Sequence, residues 1–318
     1  MMLTSDYLHY GTIALAAAIN AVGVGIGEGI TSRAAIEAIN IQPHAKTDII
    51  KTAVFGMALI ETAAIMGITV ALILLISTQT NTSDYARIAE SGIALAICLP
   101  GLFIGFVSAF PAQEACLSIA RQPFFSQKIL RFMLLTQSVL QTPIISGFII
   151  AMLIRAQAEY VTTLAQGLQL LASGLCIGLG SIGPSIGLGI FARTACKSIS
   201  INRDAYNRLL SFTLVSQAII ETSVIFALVI SILIVFANPA LTIVGGLALL
   251  GAAISTGLGT FGAGISNGRT SAATCKAIAL NPDTYTQLSR TSMIAQSLID
   301  TTPIYALIVS IILIFWGT

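Results

Sequence analysis

Apolar residues along this chain gather into long runs separated by short polar connections. Eight runs are long enough to cross about 30 Å of hydrocarbon as helices: Ile13–Ile30, Ala53–Ser77, Ile93–Phe110, Met133–Ile154, Leu168–Phe191, Leu209–Phe236, Leu241–Ile265 and Met293–Trp316. They predict an all-α membrane protein of eight transmembrane helices with no room for a soluble domain. Composition agrees: of 318 residues, 56% are hydrophobic and 9% charged, and the mean hydropathy is +0.92, far from the soluble range. A net charge of +2, with no basic run carrying interleaved aromatics, sets nucleic acid aside as a partner.

The connections repeat. They read INIQPHAKTDI, IARQPFFSQKI, ISINRDAYNRL and IALNPDTYTQL, each after a small-residue run and before a run rich in Leu, Ile and Val. Eighteen residues beyond Pro43, Pro123, Arg203 and Pro282 stand Glu61, Gln141, Glu221 and Asp300, at steps of 80, 80 and 79 residues. One helical hairpin is therefore copied four times in one orientation, over residues 1–80, 81–158, 159–237 and 238–318. Thirteen of the fifteen Lys and Arg residues lie at or near the four connections, leaving Arg87 and Arg155 on the other side. The positive-inside rule then makes those connections cytoplasmic and puts both termini on the non-cytoplasmic side. The N-terminus lacks a basic leader region, so the first run reads as a retained span. Glycine is concentrated in the first helix of each hairpin, for example Gly23, Gly25, Gly27 and Gly29, and Gly257, Gly259, Gly262 and Gly264. Such spacing thins a helix over a broad surface and lets backbones approach, as a crowded inner layer requires.

Four carboxylates are the only charged side chains inside the spans: Glu28, Glu61, Glu221 and Asp300. A charge at mid-membrane costs about 2.5–3.5 kcal/mol even on lenient scales, so such residues read as functional. Three of them share one place in the repeat. Desolvation penalises a carboxylate anion, so each group holds a proton or cation while facing lipid and releases it where an aqueous path or a fixed positive charge is offered. Thr62, Thr222 and Thr301 follow the acids, and Gln217 and Gln296 stand one turn before two of them, as donors and acceptors for the bound ion. The five cysteines are scattered without a CxxC and read as small core residues. His9 and His44 read as polar boundary residues, not metal ligands. GLGSIG at Gly178–Gly183 matches a dinucleotide fingerprint, but it lies within an apolar span with no preceding strand.

The stretch AVGVGIGEGITSRAAIEAINIQPHAKTDIIKTAVFGMALIETAAIMGITVALILL, with its glycine-rich helix, RQP-like polar loop and carboxylate in the second helix, resembles a complete c-subunit, the proteolipid of F-type ATP synthases. The similarity extends through all four hairpins. It implies a non-catalytic, homo-oligomeric rotor ring, or c-ring, in a bacterial cytoplasmic membrane, surrounded by lipid and needing no cofactor. The a-subunit of the stator would strip the ion from each carboxylate with an arginine. Carried over by position, Glu61, Glu221 and Asp300 are the ion-binding acids. The loop residues Gln42, Pro43, Gln122, Pro123, Asn202, Arg203, Asn281 and Pro282 face the central stalk.

Departures from that pattern shape the expectations. Gln141 replaces the second hairpin's acid and cannot release a proton, so that hairpin is expected to be silent in transport. Loss of a carboxylate alongside duplication resembles the vacuolar-type proteolipids of ATP-driven pumps. The place that carries a glutamine on the first helix of sodium-binding relatives holds Glu28, Ser108, Leu188 and Asn267 in turn. Sodium needs several oxygens and a proton needs one, so the expected cargo is H+, with Na+ at the carboxylates as the alternative. Glu28 and Glu61 are candidates to share a proton. Two readings of another class, a repeat-built secondary transporter and a structural channel, fit parallel repeats with one acid per hairpin less well.

Overall fold

A computed structural model describes residues 2–77, 83–238 and 242–316, with side chains from residue 7 onward. The expected hairpin boundary between residues 80 and 81 and the expected start of a span at Leu241 lie outside the described residues. Among the described residues, eight helices are long and apolar enough to cross a membrane: α1 (Tyr7–Ile41), α2 (Pro43–Ile76), α3 (Asp84–Arg121), α4 (Pro123–Ala158), α5 (Leu164–Ile201), α6 (Tyr206–Phe236), α7 (Ile243–Leu280) and α8 (Pro282–Trp316). Each is longer than its apolar run, because the helices continue past the hydrocarbon into the polar connections.

Caps and prolines set the ends. Ser83, Thr163 and Thr242 accept from the backbone N–H groups of Ala86, Gln166 and Gly245, and Thr163 with Gln166 forms a complete capping box. At three of the loop ends a carboxamide residue with non-helical backbone, Gln42, Gln122 or Asn281, is followed by proline at the first helical position, where proline's missing N–H costs nothing.

The odd-numbered helices pack against one another in sequence, α1 on α3, α3 on α5 and α5 on α7, while the even-numbered helices lie outside them and touch each other little. Glycine makes the inner layer tight. A Cβ on Gly27 would run into the carbonyl oxygen of Gly105, and one on Gly187 into that of Gly264. Such close approach builds helix contacts in lipid from van der Waals packing, since apolar tails supply no hydrophobic drive. The GLGSIG stretch is part of this layer: Gly183, inside α5, packs on the backbone of Phe261.

Two charged clusters have no counterpart among the sequence expectations. His9 is not a plain boundary residue: its Nδ1 lies 3.0 Å from Glu90 Oε2 and 3.0 Å from Arg87 Nη1, which also pairs with Glu90. Glu90 and Arg87 are buried, joining α1 to α3 near the ends away from the loops. Towards the loops, nearly buried Glu114 pairs with Arg121 at 3.0 Å and faces Arg193 at 3.9 Å. Cysteines 116, 196 and 275 fall at one place in the repeat, and all five cysteines are buried and free, as expected of small core residues.

Candidate ion-binding sites

The sites form along the line where successive even-numbered helices face one another. Thr62 Oγ1 lies 2.6 Å from Gln141 Oε1, Thr142 Oγ1 lies 2.6 Å from Glu221 Oε1, and Thr222 Oγ1 lies 3.4 Å from Asp300 Oδ2. Each threonine thus serves the polar residue of the following hairpin and not the acid beside it. Each of these three contacts joins two hairpins, and the hairpin with Gln141 in the acid's place still supplies a hydroxyl to its neighbour. Sequence reasoning misses Thr142 because it follows a glutamine and not an acid. A signal for it exists, since a threonine occupies this place in all four copies.

The inner layer completes the sites unequally. Asn267 Nδ2 donates to Asp300 Oδ1 at 2.6 Å. Ser108 Oγ accepts from Gln141 Nε2 at 3.4 Å. Glu28 stands near Glu61 on the neighbouring helix. Leu188, fully buried, offers Glu221 nothing polar, which leaves Thr142 as its side-chain partner.

Gln141 is itself well satisfied. Its Nε2 donates towards the Leu59 carbonyl at 3.2 Å, Ser108 Oγ and the Gln137 carbonyl at 3.4 Å, while Oε1 meets Thr62. The carboxamide is buried.

Thr142 Oγ1 also reaches the Val139 carbonyl at 3.0 Å, a carbonyl that Pro143, lacking an N–H, cannot bond. The same contact recurs from Thr62 to the Leu59 carbonyl and from Thr222 to the Ile219 carbonyl, both at 2.7 Å, so each of these hydroxyls is shared between its own helix and the next hairpin.

The two glutamines expected at the acids point elsewhere. Gln217 Nε2 donates to the Thr136 carbonyl at 3.1 Å and Gln296 Nε2 to Ser292 Oγ at 3.0 Å. Thr301 donates to the Leu298 carbonyl of its own helix at 2.8 Å. Among the loop residues, Gln122 donates to the Ser200 carbonyl and Asn202 to the Ala279 carbonyl, both at 3.2 Å, and Arg203 bonds Gln122. These side chains tie each loop to the next, while Pro43 and Arg203 are exposed beyond them. Among the described residues, no group of three or more His, Cys, Asp or Glu side chains is arranged to hold a metal ion.

Comparison with known proteins finds three separate matching segments in the chain. The family described as the ATP synthase C-subunit matches residues 12–74, 171–234 and 250–313, together more than half of the chain. These segments are the first, third and fourth hairpins, and they leave out the one with Gln141. The ATP synthase c-subunit of Chloroflexus aurantiacus is 41% identical over 71 residues, 22% of this chain and 93% of the relative. That of Dehalococcoides mccartyi is 43% identical over 72 residues, 23% of this chain and 95% of the relative. That of Geotalea uraniireducens is 38% identical over 69 residues, 22% and 76%. Each relative has the length of about one hairpin, so the chain is a tandem array of what these proteins carry singly. With three matching segments around a fourth of the same architecture, this multi-pass membrane protein belongs to the ATP synthase C-subunit family.

Proposed function

We propose that the chain is a rotor-ring component of a rotary ATP synthase or ATPase and that it carries protons on Glu61, Glu221 and Asp300. The observation that supports protons most directly is Leu188, fully buried at the inner-layer place beside Glu221, where it supplies none of the several oxygens that sodium would require. In this reading the chain catalyses nothing itself; the chemistry of ATP belongs to partner subunits. An arginine of the stator's a-subunit would draw each acid into its charged form in turn, and the exposed loop residues Pro43 and Arg203 would meet the central stalk.

The chain's two ends support a closed ring of copies. At internal junctions, Gly105 and Gly264 lie against the preceding inner helix and Gly183 against the following one. Their counterparts at the ends, Gly25 on α1 and Gly262 on α7, meet nothing within 4 Å. Glu61 correspondingly has no threonine from a preceding hairpin, and Thr301 has no following acid. A second copy docked head to tail supplies both, and head-to-tail contacts that close make rings.

Labelling by a hydrophobic carbodiimide with peptide mapping tests the reading. Modification at Glu61, Glu221 and Asp300 that is lost as pH rises and is indifferent to sodium supports proton carriage. Protection by sodium at fixed pH would replace protons by sodium, and no labelling at any of the three would end the ion-carrier reading.

A further inference from the structure

We infer that the fourth hairpin holds one ordered water between Asn267, Ser271 and Gln296, one helical turn to the loop side of Asp300. Asn267 and Ser271 stand one turn apart on α7, and Gln296 and Asp300 one turn apart on α8. The upper rung of this ladder is the 2.6 Å bond from Asn267 to Asp300. Because the two helices run antiparallel, one turn further towards the loop brings Ser271 opposite Gln296 as the lower rung. Its counterpart in the first hairpin is a direct contact, Ser32 Oγ to the Met57 sulfur at 3.4 Å.

All three side chains are fully buried at 0% exposure. Asn267 Oδ1, Ser271 Oγ and Gln296 Oε1 nevertheless have no hydrogen-bond partner, although the Nδ2 of Asn267 and the Nε2 of Gln296 are both used. Leaving such groups unpaired costs about 1–3 kcal/mol each. One water answers the set: its two hydrogens go to the two carboxamide oxygens, and its oxygen accepts from the Ser271 hydroxyl. Three partners is the usual number for a buried water.

The other hairpins cannot build this site. The serine's place is Ala112 in the second and Ala192 in the third, and the glutamine's place in the first is Met57. The water's bearing on ion exchange rests on the rotor reading, but its presence does not.

The test is a structure of the purified assembled protein, at a resolution that shows waters, in sodium-free and sodium-rich buffer, with carbodiimide labelling of Glu221 and Asp300 on the same sample. The expected result is one peak at about 2.7–3.2 Å from all three oxygens in both buffers. That peak should disappear in Gln296→Met, and Ser271→Ala serves as the second variant if the first does not assemble. No peak in the unsubstituted protein overturns the inference. A peak that appears only with sodium and stands closer than hydrogen-bonding distance overturns it in favour of a bound cation. Failure of the labelling with the peak present would sink the rotor reading and leave the water standing.

Discussion

Thr142, on the hairpin whose repeat position for the acid holds Gln141, is the side-chain hydrogen-bond partner of Glu221, at 2.6 Å. A copy with glutamine in the acid's place thus still holds the acid of the next one. Thr142→Val removes that hold. Interhelical side-chain bonds in membranes are worth about 1 kcal/mol, so carbodiimide labelling of Glu221 should rise about five-fold. Labelling of Asp300 should be unchanged, and Thr142→Ser should restore the original rate. An equal change at both acids would mean a general loosening of the bundle.

Gln141→Glu should bring a fourth labelled peptide, because the substituted position lies in line with the other acids. It should also cost stability. Ser108 Oγ loses its amide donor, at about 1–3 kcal/mol for a buried group left unpaired, while the Leu59 carbonyl keeps the Thr62 hydroxyl. Thermal unfolding in detergent measures this, and a variant as stable as the parent would show that the amide's bonds contribute nothing.

Two glycines on α1 should separate folding from assembly. Gly27→Ala drives a Cβ into the Gly105 carbonyl and should destabilise the single chain. Gly25→Ala meets open space within the chain and should leave its fold intact, yet hinder formation of rings. Native mass spectrometry reads the oligomer and thermal unfolding reads the chain. Unimpaired rings of Gly25→Ala would mean that α1 is not the face a second copy uses.

Arg87→Ala leaves Glu90 buried with one partner fewer. Breaking a buried pair from one side costs about 3–5 kcal/mol, whereas replacing both members by apolar groups is often neutral. The double variant Arg87→Met with Glu90→Leu should therefore unfold at a higher temperature than Arg87→Ala. The reverse order would show that the pair, and not the removal of an uncompensated charge, sets the stability of this junction.

The fold was legible because a membrane helix announces itself by length and hydropathy, and the 80-residue recurrence of Glu61, Gln141 and Glu221 gave the repeat. The acids themselves were legible because a charge in an apolar run is too costly to be incidental. The pairing across hairpins was not. Spacing along one helix says which residues share its face, but not which neighbour that face meets, so Gln217 and Gln296 looked like partners of the acids one turn away. They point to Thr136 and Ser292. His9 was misjudged for a related reason: its partners lie 78 and 81 residues away on another helix, and nothing local marks them.

The saturated amide of Gln141 has a mechanical corollary. Because the four hairpins are one polypeptide, the interval between Glu61 and Glu221 is covalently fixed at twice that between Glu221 and Asp300 in units of hairpins. In a ring of such chains the acids pass any fixed point in a rhythm of one long step and two short ones. A rotor built from separate single-hairpin proteins has even spacing; this one has its gear teeth cut unevenly, in the same order in every copy.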